Sequence, residues 1–412
     1  MWPLIKILIV FSLIIIMLRK KADLGATMMV STVALGLLFR LSFLPLAKQF
    51  ALTLVTPSTV GLIAVLVLIM ILESVMRQAG MLQAMTGSLL RLPLNPRILI
   101  AAVPAIIGFL PSAGGARFSA PLVGDAMSGL PFPAEDKVFI NYWFRHIWEY
   151  SLPIYPGLLL ASHFSGIPLS TILIWQWPFT VIWAVLGYWY IFRRHGREVI
   201  PGPSVTGTGR GAGMESGHST AGSLKVLITS TWPLWLAVVL VIAQISVVAA
   251  IGIILFLLIL IKRYPLRSVW KTLIDPLTAR IVFLVWGTMV FKDVLELSGA
   301  VHQVSQSITS LGVPPVVIIT LLPLAVGMLT GLVQACIGVS FPLVMALVHP
   351  SVGYVMLAYV SGVVGVMISP VHLCLILTVE YFKADFMRSY KPLFLPSMLV
   401  IIATLFIFRL AV

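Results

Sequence analysis

Ten stretches of this chain are apolar over nearly the whole length that a helix needs to cross a membrane, about 17–25 residues for a hydrocarbon core roughly 30 Å thick. They fall at about 3–18, 24–43, 56–76, 138–162, 168–192, 226–244, 246–262, 279–297, 352–380 and 390–411. Where no water reaches the peptide groups, each N–H and C=O must be satisfied within the segment, so such runs form helices. The stretches fill the chain and leave no room for a separate soluble domain. The expected fold is an all-α polytopic membrane protein, and the 60% hydrophobic, 10% charged composition fits it, since soluble domains are about 25% charged. The first run is followed by Arg19, Lys20 and Lys21 with no small-residue cleavage site. It reads as a retained first span with the N-terminus outside.

Two further apolar segments, about 98–130 and 313–347, are interrupted midway by Pro, Gly, Ser or Thr. Each is long enough to enter the membrane and return. With both treated as re-entrant hairpins, nearly all Lys and Arg fall on one side, leaving only Lys6, Arg40, Lys48 and Arg409 on the other. That asymmetry assigns the first side to the cytoplasm and both termini to the outside. The net charge of +14 is thereby a topology signal rather than a nucleic-acid footprint, and no nucleic-acid partner is expected. Residues 196–224 are rich in Gly, Ser and Pro and read as a flexible cytoplasmic linker. Cys336 and Cys374 both sit in apolar segments, with neither a disulfide framework nor a metal-ligand spacing. The expectation is no metal and no cofactor.

The linker separates two related halves, 1–195 and 225–412. Gly80, Pro96, Pro104, Gly108 and Ala116 recur 219 residues later as Gly299, Pro315, Pro323, Gly327 and Ala335. Beyond the hairpin tip, Tyr142 and Pro153 recur 217 residues later as Tyr359 and Pro370. Each half holds five crossings and one hairpin, and an odd count inserts the second copy upside down. Each half also carries one helix with a mid-span proline break, about 138–162 and 352–380. Inverted repeats whose broken helices meet near the midplane are the architecture of secondary transporters.

The polar chemistry gathers at these interruptions. The first hairpin tip offers Ser112, Gly114, Gly115, Arg117 and Ser119, with glycines for close backbone approach and a planar guanidinium fork, a set suited to a carboxylate. The alternative for Arg117 is a place near the cytoplasmic face, snorkelling or paired with Asp125. The second tip offers Thr330, Gln334 and Ser340 beside Gly331 and Gly338, all uncharged and suited to a cation or to the neutral part of a solute. On the first broken helix Arg145 and Glu149 are four apart, with His146 between them; on the second, Ser361, Ser369 and His372 surround Pro370. Ionisable groups inside a membrane are costly and mark function by default, so Arg145, His146, Glu149 and His372 are the candidates for proton coupling. Glu73, Lys292 and Asp293, near span ends, read as caps or local pairs. The tryptophans of "WQWPF" and "YWFRHIW" read as interfacial belts.

At "GFLPSAGGARFSAPLV" and "YVSGVVGVMISPVHLCLIL" the chain resembles the ion transporter superfamily. That group includes carriers for citrate, gluconate and dicarboxylates, membrane subunits of tripartite carboxylate transporters, and a related uncharacterised prokaryotic membrane family. The resemblance implies a homodimeric elevator carrier in a prokaryotic inner membrane, with substrate and ion sites at the hairpin tips. The sodium-coupled members carry Ser-Asn-Thr at those tips, whereas here stand Ser112-Ala113-Gly114 and Thr330-Gly331-Leu332. The coupling ion is therefore open between H+ and Na+, and His146 or Glu149 offers a proton route. The expected activity is secondary active transport of a small organic anion, not catalysis. The runner-up is a membrane subunit of a multi-component carboxylate transporter, or a channel. An intramembrane enzyme is disfavoured because neither H-E-x-x-H nor G-x-S-x-G occurs.

Overall fold

Proline decides where many of the helices begin. Pro57, Pro96, Pro156, Pro276 and Pro315 each take the first helical position, where a missing N–H costs no hydrogen bond and φ is already helical. Asn95 and Asp275, just before two of them, accept from the Arg97 and Leu277 amides at 3.0 and 2.8 Å. Side-chain caps of this kind satisfy donors that a helix start leaves orphaned.

The computed structural model describes residues 2–20, 22–110, 115–194, 220–300, 303, 306–307, 312–348 and 350–411. Among these, every regular element is helical. In chain order the α-helices are α1 (Trp2–Arg19), α2 (Leu24–Leu38), α3 (Phe43–Val55), α4 (Pro57–Gln78), α5 (Met81–Leu90), α6 (Pro96–Ile107) and α7 (Ala116–Ala126). There follow α8 (Ala134–Arg145), α9 (Pro156–Ser165), α10 (Leu169–Arg194), α11 (Thr220–Ile242), α12 (Val247–Lys262), α13 (Leu266–Leu273) and α14 (Pro276–Leu297). The last six are α15 (Pro315–Thr330), α16 (Val333–Leu347), α17 (Val352–Met367), α18 (Leu373–Phe382), α19 (Phe386–Tyr390) and α20 (Phe394–Ala411).

Helix covers every stretch read as a crossing, and this is a multi-pass helical membrane protein. Four helical stretches, α4, α10, α11 and Phe386–Arg409, are long and apolar enough to cross unaided, and α13 with α14, bent by 47°, makes a fifth. Helices α8 and α9 flank residues 146–155, and α17 and α18 flank 368–372. Both interrupted apolar segments form two packed helices, α6 on α7 and α15 on α16. With 12 and 11 residues, α6 and α7 reach only about 18 and 16 Å, too short to span the core singly.

Three expectations need correction. Residues 43–55, left between the stretches at 24–43 and 56–76, form a helix of their own, α3, and its Thr53 and Gln49 reach Asp293 on α14 at 2.5 and 3.2 Å. Helix α11 begins at Thr220, inside the range read as linker; the rest of that range, 196–219, lies outside the described residues. Trp143 belongs to no interfacial belt. It is fully buried and stacked on Trp183 at 4.0 Å, and each indole N–H donates to the other's backbone carbonyl, at 2.9 and 3.2 Å. A buried indole is tolerated when its N–H is paired this way.

The most enclosed element is α17, buried over Val355–Met367. Its small residues let α15 approach until backbone meets backbone. Gly327 of α15 lies against the carbonyl oxygen of Gly362, and Gly365 of α17 lies against that of Leu324. Close approach through glycine is how membrane helices gain contact without a hydrophobic driving force. At residues 219 and 217 lower in number, Gly108, just past the end of α6, lies against the carbonyl oxygen of Arg145, and Trp148 donates to the Ala105 carbonyl at 2.7 Å.

Candidate functional site

Two interrupted helices leave free peptide groups deep in the fold, and tyrosines satisfy them. Tyr142 on α8 donates to the Met367 carbonyl at 3.0 Å, and Tyr359 on α17 donates to the Glu149 carbonyl at 2.8 Å. Each tyrosine thus ties off the break of the other helix. Tyr390 donates to the Ile368 carbonyl at 2.7 Å, and Tyr155 makes a short bond to that of Gly108. Ser369 donates to the Met328 carbonyl at 2.7 Å and accepts from the Val371 amide at 3.3 Å, which joins the second break to the second hairpin. Gly331, the turn of that hairpin, has φ 64° and stands where a Cβ would sit 3.1 Å from the Ser369 hydroxyl and the His372 amide.

Beside these breaks lies a cavity of about 220 Å³, far more than one water needs. Arg145, His146 and Glu149 line it from the first break, and His372 and Cys374 from the second. The second hairpin contributes Gly331 and Gln334, and Glu73 of α4 and Thr288 of α14 line the cavity too. Arg145 is only 4% exposed, and its Nη1 lies 3.2 Å from the Cys374 sulfur. A guanidinium removed from water needs opposite charge nearby; Glu149 and Glu73, which line the same cavity, lie within electrostatic reach. The rings of Tyr142, His146 and His372 meet edge to face, with centroids 5.0 to 5.2 Å apart.

The four candidates for proton coupling, Arg145, His146, Glu149 and His372, therefore converge on one cavity. Arg145 and Glu149 do not share a helix face as their spacing suggests, because α8 ends at Arg145 and Glu149 sits on the short 3-10 turn Ile147–Tyr150. The bend, not helical periodicity, brings both to the cavity. Of the second-tip candidates, Gln334 lines the cavity, and Thr330 ends α15 with its hydroxyl 3.4 Å from the Gly327 and Leu332 carbonyls. Ser340 is buried and turned back onto the Cys336 carbonyl at 2.6 Å. Ser369 serves the hairpin contact described above. Of the first-tip candidates, Ser112 and Gly114 lie outside the described residues, and so does the Arg117 side chain, although its backbone is in the first turn of α7. Gly115 and Ser119 are buried, and the Ser119 hydroxyl has no hydrogen-bond partner among the described residues.

Two cavity residues escape a reading of the sequence. Glu73 pairs with Arg77 at 3.4 Å as expected, and it also faces the cavity. Cys374 looks like one more apolar residue of its segment, and only the fold sets it beside His146 and Arg145.

Fold and site together define a polytopic helical membrane protein whose mainly apolar cavity beside two interrupted helices gathers several ionisable side chains. The chain belongs to the family described as "Protein of unknown function (DUF401)", whose model matches residues 4–411. No curated protein matches it in sequence. In structure it is similar to the crystal structure of the YdaH transporter from Alcanivorax borkumensis, with a TM-score of 0.64 and 14% identity, over 97% of this chain and 98% of that one. At that identity the likeness is one of fold.

Proposed function

We propose that the chain is a secondary active transporter that moves a small carboxylate-type anion across a prokaryotic inner membrane, driven by a proton or cation gradient. One observation carries the reading: a cavity lined by a guanidinium, two carboxyl groups and two imidazoles lies where two interrupted helices and a hairpin turn meet. Charge at such depth is expensive unless used, and unwound backbone is tolerated only beside protein or a cavity. Arg145 is the anion's partner in this proposal, its planar fork matching a carboxylate. His146, Glu149 and His372 are placed to exchange a proton as the cavity changes sides, and Arg117 remains a candidate at the first tip.

Inverted repeats with two oppositely oriented hairpins supply the alternating-access device. The recurrence of the Gly108–Arg145 contact as Gly327–Gly362 and the crosswise Tyr142 and Tyr359 bonds support them. An elevator-like movement and a homodimer follow from the family resemblance to ion transporter superfamily carriers.

The test is uptake into proteoliposomes of anions first selected by thermal shift in detergent, with a pH or sodium gradient imposed. Wild type should accumulate a carboxylate under one gradient. Arg145→Ala should lose both uptake and anion-dependent stabilisation, and Arg145→Lys should retain part of each. Unchanged stabilisation in Arg145→Ala would remove Arg145 from the site. Failure of every carboxylate under both gradients would overturn the transport reading. For the hairpins, cysteines placed at Ser112 and Thr330 in a cysteine-free background should react from opposite sides of the membrane; reaction of both from one side would refute the inversion.

A further inference from the structure

The imidazoles of His146 and His372 stand in one constellation with the thiol of Cys374, a group that the transport proposal does not use. One ligand atom from each lies within 4.8 Å of the others, and all three residues are buried. The way the two rings are held is more telling. His146 Nδ1 lies 2.6 Å from the Tyr142 carbonyl, and His372 Nδ1 lies 3.1 Å from the Val366 carbonyl. A carbonyl oxygen only accepts, so Nδ1 is the donor in each ring and Nε2 is the nitrogen left for a ligand. Orienting a histidine through its far nitrogen in this way is the outer-shell arrangement of metal-bound imidazoles.

We propose that His146, His372 and Cys374 form a binding site for a transition-metal cation of borderline softness, of which Zn2+ is the type. Two imidazoles and a thiolate suit Zn2+ or Co2+ and not Mg2+ or Ca2+, which prefer oxygen. Three protein ligands leave a fourth position of a tetrahedral shell open, and all three residues line the cavity. In a closed tetrahedral site, ligand atoms stand about 3.5 Å apart, so the widest gap here shortens by roughly 1 Å on binding. Cys374 follows His372 by two residues, next to the Pro370 break, where side-chain adjustment disturbs no helix interior. Binding forms one metal–sulfur and two metal–nitrogen bonds and releases the thiol proton to solvent, with no change of oxidation state. The Arg145 guanidinium lies 3.2 Å from the sulfur, and Glu149 and Glu73 line the same cavity. The inference stands on ligand geometry and does not depend on the transport proposal.

The experiment uses full-length protein in detergent, stripped with chelator and titrated with Co2+ under anaerobic conditions. Wild type should develop a thiolate-to-cobalt charge-transfer band together with the visible bands of tetrahedral Co2+, saturating at one ion per chain and bleached by Zn2+. Cys374→Ser should lose the charge-transfer band, and Cys336→Ser should keep it. His146→Ala and His372→Ala should each weaken Co2+ binding by at least about tenfold, in preparations whose monodispersity and unfolding temperature match wild type. Absence of the band in wild type at stoichiometric Co2+ would overturn the proposal, and that reading needs no variant to fold. A band that survives Cys374→Ser but vanishes in Cys336→Ser would overturn it as well. Because no gradient or transported solute is involved, a negative result here leaves the transport test untouched, and the converse holds.

Discussion

The crossing of α15 and α17 allows a quantitative test of how tightly the fold is built. A methyl group added at Gly365 overlaps the Leu324 carbonyl oxygen and comes within 2.9 Å of that residue's Cα and carbonyl carbon. Carbon atoms in good contact stand about 3.5–4.0 Å apart, so the helices must separate by roughly 1 Å. The obstructing atoms are backbone, and no side chain can swing aside to make room. Overpacking of this kind costs about 1–3 kcal/mol, and the gain in helix propensity from Gly to Ala, about 0.5–1 kcal/mol, offsets only part of it. Gly252 of α12 is the control, because a Cβ there meets nothing within 4 Å. Gly252→Ala should be neutral or slightly stabilising. The propensity gain is common to both, so the two variants should differ by about 1–3 kcal/mol, or roughly 2–6 °C in apparent unfolding temperature at about 2 °C per kcal/mol. Detergent thermal unfolding followed by size-exclusion recovery measures this. Gly327→Ala strikes the same crossing from the other helix, against the Gly362 carbonyl, with the Val366 amide at 2.9 Å. Once one methyl has forced the helices apart the second meets less resistance, so the double variant should lose less than the sum of the singles by more than the ~0.5 kcal/mol expected of independent sites. If Gly365→Ala unfolds at or above the temperature of Gly252→Ala, or the two substitutions at the crossing add fully, the backbone contact is not as close as described.

Tyr142→Phe and Tyr359→Phe each leave a buried carbonyl without its donor and should destabilise the protein by about 1–3 kcal/mol in the same assay; a loss in only one of them would break the reciprocity of the two ties. Asp293→Ala strands the fully buried Thr53 hydroxyl, now 2.5 Å from the carboxylate, and should cost about 1–3 kcal/mol. Adding Thr53→Val should recover part of that loss, because the buried hydroxyl is then gone and only the half-buried Gln49 amide, which donates to both, loses its acceptors. A further loss in the double variant would show that Asp293 acts through Lys292 instead, 3.8 Å away.

The parts of the fold legible in the sequence are those that membrane physics makes compulsory. Uninterrupted apolar runs must be helices, and the Pro and Gly interruptions at 146–155, 331–332 and 368–372 fall where helices stop. Helix α3 is hidden because Lys48, Gln49 and Thr53 break its apolar run; two of those polar residues turn inward to Asp293, which hydropathy alone does not reveal. Trp143 misleads for the opposite reason. An indole suits a lipid interface and a paired, buried stack equally well, and only the partner Trp183 decides between them. At the site, the rarity of ionisable groups in apolar spans is enough to single out Arg145, His146, Glu149 and His372. Cys374 carries no such mark, and it meets Arg145 only through a contact spanning 229 residues of chain.

Under the inverted-repeat proposal, the paired positions divide scaffold from chemistry. The contacts that hold the two broken helices recur between halves: Gly108 matches Gly327 in meeting a carbonyl, and Tyr142 matches Tyr359 in tying off the opposite break. The cavity groups do not recur. At the 217-residue offset, Arg145 faces Gly362, His146 faces Val363, Glu149 faces Val366 and Tyr155 faces His372. Exchanging the two halves' conformations requires matched backbone packing, since the same contacts must form in either orientation, but sets no such condition on the groups that touch a solute. Arg145 in one half is matched by Gly362 in the other, and the backbone carbonyl of each meets a glycine, Gly108 or Gly327. What excludes a long side chain at 362 is its own surroundings, since a Cβ there stands 2.8 Å from the Cys336 sulfur and 3.5 Å from the Pro323 Cβ. The asymmetry of the site thus follows the packing around Gly362, where α16 fills the space that a second charge would need.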